Sequence, residues 1–216
     1  MSNGTVRAMA LSLLFATAIA LADAPENDMP LRTVYDAPRQ RLWLLRHDAV
    51  YLHDAATLAL KGRYELPGWI YAHEQYACAP ELALDAQGVA VVTSNVIAAL
   101  WRVDPARPRA TQHELVLDDG GGRDIGFSGL VYAPDQGVFF AASSSHGLLW
   151  RIDPLLRRAQ NVPLSAPIRG DCGLSLKRTR TRRAAVLCTG RWTIQLAPDQ
   201  RSGYVFDRSC AHDSGL

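Results

Sequence analysis

Three segments of this sequence concentrate side chains able to bind or to react. Residues 67–79 (PGWIYAHEQYACA) carry Trp69, Tyr71, His73 and Glu74. Residues 118–128 (DDGGGRDIGFS) carry Arg123 and Asp124, and residues 165–172 (SAPIRGDC) carry Arg169 and Asp171. Aromatic rings offer faces for stacking, and a few convergent polar groups over an apolar floor are the usual make-up of a ligand site. Gly120, Gly121 and Gly122 would let backbone approach a bound molecule closely. The plainer alternative is that Arg123–Asp124 and Arg169–Asp171 are local pairs closing tight loops. The sequence assigns no cofactor and no metal. Were a cation held, the oxygen donors Glu74, Asp124 and Asp171 would suit calcium.

Other constellations lead nowhere chemically. Ser143-Ser144-Ser145-His146 lacks the strand–turn–helix elbow of a nucleophilic serine and is expected to be a plain turn. Asp119-Gly120-Gly121-Gly122 is followed by no Lys-Ser/Thr and no helix, so it is not a phosphate loop. The six histidines, His47, His53 and His212 among them, show no zinc spacing. The densest charge run, Lys177 to Arg183, falls where a hairpin turn is expected. A solvated turn is the plain account, and docking to an anionic polymer or lipid the sharper one. With a formal net charge of +2 over 216 residues, no long-range field draws polyanions, which argues against nucleic acid as a partner.

The N-terminus carries an address. After Arg7, residues 8–22 (AMALSLLFATAIALA) are apolar, too short to span a bilayer comfortably, and end in Ala20-Leu21-Ala22. This is the pattern of a signal peptide cleaved near Ala22, which predicts a periplasmic or secreted chain. No later segment is apolar enough to span a membrane. The expected organisation is a signal peptide over 1–22, a linker over 23–30, a repeat domain over 31–208 and a polar tail over 209–216. Four cysteines, Cys78, Cys172, Cys188 and Cys210, suit two disulfides in an oxidising compartment. Three pairings are possible; a hairpin centred near Arg180 favours Cys172 opposite Cys188, which leaves Cys78 for Cys210.

What must position the three segments is a repeat. Leu100-Trp101-Arg102-Val103-Asp104-Pro105 recurs as Leu149-Trp150-Arg151-Ile152-Asp153-Pro154, an offset of 49 that also matches Gln87-Gly88 to Gln136-Gly137 without a gap. Each unit reads as short apolar or β-branched runs punctuated by Gly, Pro and Asp, hence as strands. Weaker copies flank the pair: Tyr51-Leu52-His53-Asp54 stands at the Trp-Arg-x-Asp position of the first unit, and a fourth unit lacks the aspartate. Four-stranded units of this length are the signature of propeller blades. The undivided offset argues against a β-sandwich. Trp101 and Trp150 are expected to pack between blades, and Asp104 and Asp153 to shape the following turn.

In its blade pattern, over about residues 30–207, the sequence resembles the propeller superfamily of quinoprotein amine dehydrogenase β-chain-like and gluconolactonase-like proteins. The resemblance implies an all-β, β-propeller-like fold of four-stranded antiparallel blades. About four blades are visible, fewer than those families have, so a small, open or incomplete ring is expected. It also implies that the three segments, each linking an outer strand to the next inner one, gather at one opening. Gluconolactonase-like proteins hold a divalent metal there with Glu, Asn and Asp; Glu74, Asp124 and Asp171 lie in comparable links, while asparagine within the repeats is limited to Asn95 and Asn161. The function expected is ligand or protein binding on that face, with catalysis the less favoured class. The alternatives are a metal-dependent hydrolase or lyase of lactone or sugar-like substrates, and an accessory subunit of a redox enzyme. Self-association could complete the ring.

Overall fold

The computed structural model describes residues 29–73, 78–118, 125–143, 145–177, 186–197, 199 and 201–207. They build four antiparallel meanders in sequence order. The first blade is β1 (Arg32–Asp36), β2 (Arg41–Leu45), β3 (Val50–Asp54) and β4 (Leu60–Tyr64). The second is β5 (Leu82–Leu84), β6 (Ala90–Thr93), β7 (Ala99–Val103) and β8 (Thr111–Glu114). After the short β9 (Val116–Leu117), the third comprises β10 (Gly129–Ala133), β11 (Val138–Ser143), β12 (Leu148–Ile152) and β13 (Arg158–Asn161). The fourth is β14 (Ser175–Lys177), β15 (Val186–Cys188), β16 (Trp192–Leu196) and β17 (Gly203–Asp207). One 3-10 turn, Ala37–Arg39, is the sole helical element among the described residues. The expected all-β fold of four-stranded blades is the observed one.

The inner strands β1, β5, β10 and β14 are successive neighbours, and the sheets do not close into a ring. Stacking explains the strand sequences. β6 (AVVT) and β11 (VFFAAS) are buried at every residue, because each has a blade on either side. Such strands read as unbroken apolar runs rather than alternating ones. β1, in the end blade, alternates up to its last residue.

Trp101 lies in the core between the first and second blades, with Trp43, Leu52 and Val92. Trp150 lies between the second and third, with Leu100, Phe139 and Ile152. Both are fully buried, as the repeat predicts. In the end blade Tyr51 holds the equivalent place. Its hydroxyl donates to Asp48 Oδ2 at 2.7 Å, and Arg63 donates to the same oxygen at 3.1 Å. These contacts put polar groups on the outer face of this blade. Burial pushes the Asp48 carboxyl up, but the Tyr51 and Arg63 hydrogen bonds together hold it below its ordinary value.

The aspartates that end or follow the third strands turn the chain. Asp104 Oδ1 accepts from Ala106 N–H at 2.9 Å, Asp153 Oδ1 from Leu155 N–H at 2.8 Å, and Asp54 Oδ1 from Thr57 N–H at 3.0 Å. These are Asx turns. The sequence did not foretell how blades are clasped at the rim. β9 leaves the second blade and pairs in parallel with β13 of the third, Val116 opposite Arg158. Leu164 makes the same parallel contact with Gly203 of the fourth.

One expectation is overturned. Cys78 is bonded to Cys172, 94 residues away, with their Cα atoms 5.4 Å apart. The hairpin reading fails on register: β14–β15 sets Ser175, not Cys172, opposite Cys188. Cys172 lies before β14, in the link from the third blade. Cys188 is also disulfide-bonded, while Cys210 lies outside the described residues. So do residues 1–28, which include the signal segment, and Arg178–Arg183 of the basic run.

Candidate functional site

The links between blades, over residues 65–81, 118–128 and 162–174, are anchored by the turns between the second and third strands of the blades. The Asn95 side chain, in the β6–β7 turn, accepts from Ala72 N–H at 2.7 Å and donates to the carbonyls of Ala72 and Cys78 at 2.7 and 2.8 Å. Phe127 N–H donates to Ser94 O at 2.8 Å. Gly126 passes so close that an added Cβ would fall 1.8 Å from Asn95 O. Gly173 N–H donates to Ser128 O at 2.7 Å, joining the second and third links. The Cys78–Cys172 bond ties the first link to the third. The links therefore share one face of the arc.

On that face four rings stand in a row. Trp69 and Tyr71 stack with centroids 4.5 Å apart, Tyr71 lies 5.9 Å from His47, and His47 lies 6.2 Å from His73 with planes 10° apart. Trp69 is held by donating Nε1–H to Thr93 O at 3.0 Å. The Tyr71 hydroxyl is hydrogen-bonded to His47 Nδ1. Trp69, Tyr71 and His47 are half-buried, and His73 is exposed.

The charged members fare differently. Asp171 accepts from Thr189 Oγ1 at 2.5 Å, from Arg191 N–H and from Cys172 N–H at 3.0 Å, so its carboxylate fastens the third link to the β15–β16 turn. Arg169 contributes its carbonyl to Trp192 Nε1–H at 3.3 Å. Glu74, Arg123 and Asp124 lie outside the described residues. Among the described residues no group of three or more His, Cys, Asp or Glu is placed to hold a metal.

Sequence reasoning missed His47, Asn95 and a half-buried ion pair. Arg32 Nε, at the start of the innermost strand of the first blade, donates to Glu81 Oε1 at 2.6 Å, and its Nη2 donates to Ala79 O at 3.2 Å. The repeat could have found His47 and Asn95, since it puts both in the turns between second and third strands that share the face of the links. Arg32 and Glu81 are 49 residues apart, one repeat offset, so the repeat sets them at matching places in successive blades.

Burial pushes the Glu81 carboxyl above its ordinary 4.5, outweighing the charge and hydrogen bond of Arg32. The folded chain therefore binds this proton more tightly than the unfolded one. The stability linked to it is whole below pH 4.5 and is lost as pH rises through the raised folded value. Glu81→Gln mimics the protonated form. In urea titrations, wild type is expected to lose stability relative to Glu81→Gln between acid pH and neutrality; parallel profiles would contradict this.

The serine–histidine turn is closer-knit than its sequence suggests. Ser143 Oγ and Ser145 Oγ lie 3.2 and 2.9 Å from His146 Nδ1. No carboxylate joins them among the described residues, and the group closes the turn after β11.

No family model and no curated protein matches this sequence. Solved structures do match its fold. Hydrazine synthase of Kuenenia stuttgartiensis superposes with a TM-score of 0.61 at 14% identity, over 86% of this chain and 51% of that one. A catalytically inactive virginiamycin B lyase from Staphylococcus aureus, with quinupristin, gives 0.61 at 12%, over 89% and 59%. The C-terminal WD40 domain of Sif2 gives 0.54 at 10%, over 84% and 47%. The fold is of the β-propeller type. At these identities the likeness is one of architecture alone. This chain spans roughly half the length of those it matches. The quinoprotein-type resemblance narrows, on these findings, to propellers in general.

Proposed function

We propose that this chain is an exported binding protein that holds a small ring-bearing ligand on the face made by its inter-blade links. One observation carries the reading. The Cys78–Cys172 bond fastens the link bearing Trp69, Tyr71 and His73 to the link bearing Arg169 and Asp171, so a continuous strip of rings lies on an anchored surface. Stacking on aromatic faces suits planar or sugar-ring ligands, and loops on a rigid scaffold are where binding residues concentrate. A disulfide joining loops suits an oxidising compartment, in keeping with the signal-peptide pattern. No resident cofactor is invoked.

Tryptophan fluorescence tests this directly. Trp43, Trp101 and Trp150 are fully buried, so a surface ligand should report through Trp69 or Trp192. A panel of monosaccharides and aromatic acids is expected to contain a compound giving saturable quenching that Trp69→Phe removes. A panel without saturable quenching, or quenching that survives Trp69→Phe, would count against the strip as the site.

The metal-dependent hydrolase or lyase is less supported, because Asp171, one of its three supposed ligands, is occupied by hydrogen bonds. Melting with chelator and then with excess calcium separates the two readings. A site filled at 100 times its dissociation constant adds about 2.7 kcal/mol, or roughly 5–10 °C for a chain this size. A shift of that size would favour the enzyme. A redox-accessory role rests only on the quinoprotein-type resemblance of the blade pattern, and co-purification of a redox subunit is its test.

A further inference from the structure

We propose that a cleft at the outer rim of the arc, between the third and fourth blades, binds a hexuronate, a sugar ring bearing a single carboxylate. The cleft encloses about 500 Å³ where Asp118 and the β13 residues Gln160 and Asn161 meet Asp199 and Arg201 of the β16–β17 turn, with Arg151 of β12 in its wall. Volumes of about 300–1,000 Å³ are usual for small-molecule sites. The cleft shares no residue with the strip of rings, so the inference stands apart from the binding face proposed above.

A departure from the repeat frees the charge that would recognise it. In the second blade Arg102 Nη2 donates to Asp85 Oδ2 at 3.3 Å, an ion pair made just beyond the first strand. One offset on, Arg151 matches Arg102, but Pro134 stands in the place of Asp85. Arg151 turns to the outer strand, where its Nη1 donates to the neutral Gln160 Oε1 at 3.5 Å. Neither Arg151 nor Arg201 has an ion-pair partner among the described residues. A guanidinium fork matches a carboxylate bidentately. The rest of the lining suits hydroxyls. Asp118 and Asp199 each spend Oδ1 on a backbone N–H, that of Asn161 at 2.8 Å and that of Arg201 at 3.1 Å. Each keeps an Oδ2 to accept from a hydroxyl, and the Gln160 and Asn161 amides can both donate and accept. The same two carboxylates repel a phosphate or a polyanion. One negative charge among several hydroxyls is the chemistry that fits.

The test is isothermal titration calorimetry of the exported chain with sodium galacturonate and sodium glucuronate, with galactose and the methyl ester of galacturonate as uncharged controls. At least one uronate is expected to bind, and the uncharged sugars about tenfold or more weakly, the usual effect of losing a charge-assisted hydrogen bond. Arg201 is exposed, so Arg201→Ala should keep the wild-type unfolding midpoint while losing about tenfold or more in uronate affinity. Arg151→Gln should lose as much. Pro134 is exposed too; Pro134→Asp restores the aspartate of the second blade, draws Arg151 away and should weaken binding without loss of folding. Trp69→Phe should change nothing. Absence of binding by both uronates, equal binding of galactose, or uronate affinity untouched by Arg201→Ala and Pro134→Asp would overturn the site. Uronate binding lost in Trp69→Phe and kept in Arg201→Ala would place the sugar on the strip of rings and overturn the cleft equally.

Discussion

Trp150→Ala is expected to destabilise the protein by about 3–5 kcal/mol, the range for removing a fully buried aromatic side chain. The ring is fully buried among Leu100, Phe139 and Ile152, between a blade before it and a blade of its own, and neither sheet can move in to fill the space without parting from its other neighbour. Its indole Nε1–H is buried without a partner, whereas that of Trp101 donates to Pro67 O at 2.8 Å. Trp150→Phe should therefore cost much less than Trp150→Ala, because it removes an unsatisfied donor along with the ring volume. Urea unfolding of the three proteins checks both statements. A loss below about 0.5 kcal/mol for the alanine variant would place the ring at a surface rather than between blades.

Replacing Cys78 and Cys172 together by alanine is expected to cost about 2–5 kcal/mol. The bond closes a loop of 94 residues, and in the chain-entropy account a loop near 100 residues contributes about 4.7 kcal/mol by restricting the unfolded chain. The same variant separates stability from function. Asn95 clamps Ala72 and Cys78 from the second blade, so the first link keeps an anchor without the disulfide, while its tie to the third link is gone. Denaturant unfolding gives the first effect. The fluorescence titration gives the second: ligand affinity should fall more than it does in Trp150→Ala. An unchanged unfolding midpoint would mean that the blades alone hold the links together.

The candidate site was only partly legible in the sequence. Trp69, Tyr71 and His73 could be picked out because an aromatic cluster in a predicted link has a composition of its own. His47 could not, since a single histidine in a predicted turn is ordinary until the repeat is used to ask which turns share a face. Asp171 lies in the third link, and its part in holding the β15–β16 turn depends on Thr189 and Arg191 coming within reach, which nothing local to residues 165–172 implies. Arg32 and Glu81 stand one repeat offset apart and meet because the inner strands of two blades run side by side.

Local pattern and repetition determined the strands, the four blades, the burial of Trp101 and Trp150 and the turns at Asp104 and Asp153, because each depends on residues near in sequence or on one offset used twice. Which cysteines bond, which turns gather with the links and how β9 and Leu164 clasp the rim were decided by tertiary structure. Those contacts join residues from different blades. Their distances are set by how the sheets twist and stack, a sum over the whole arc that no single segment encodes.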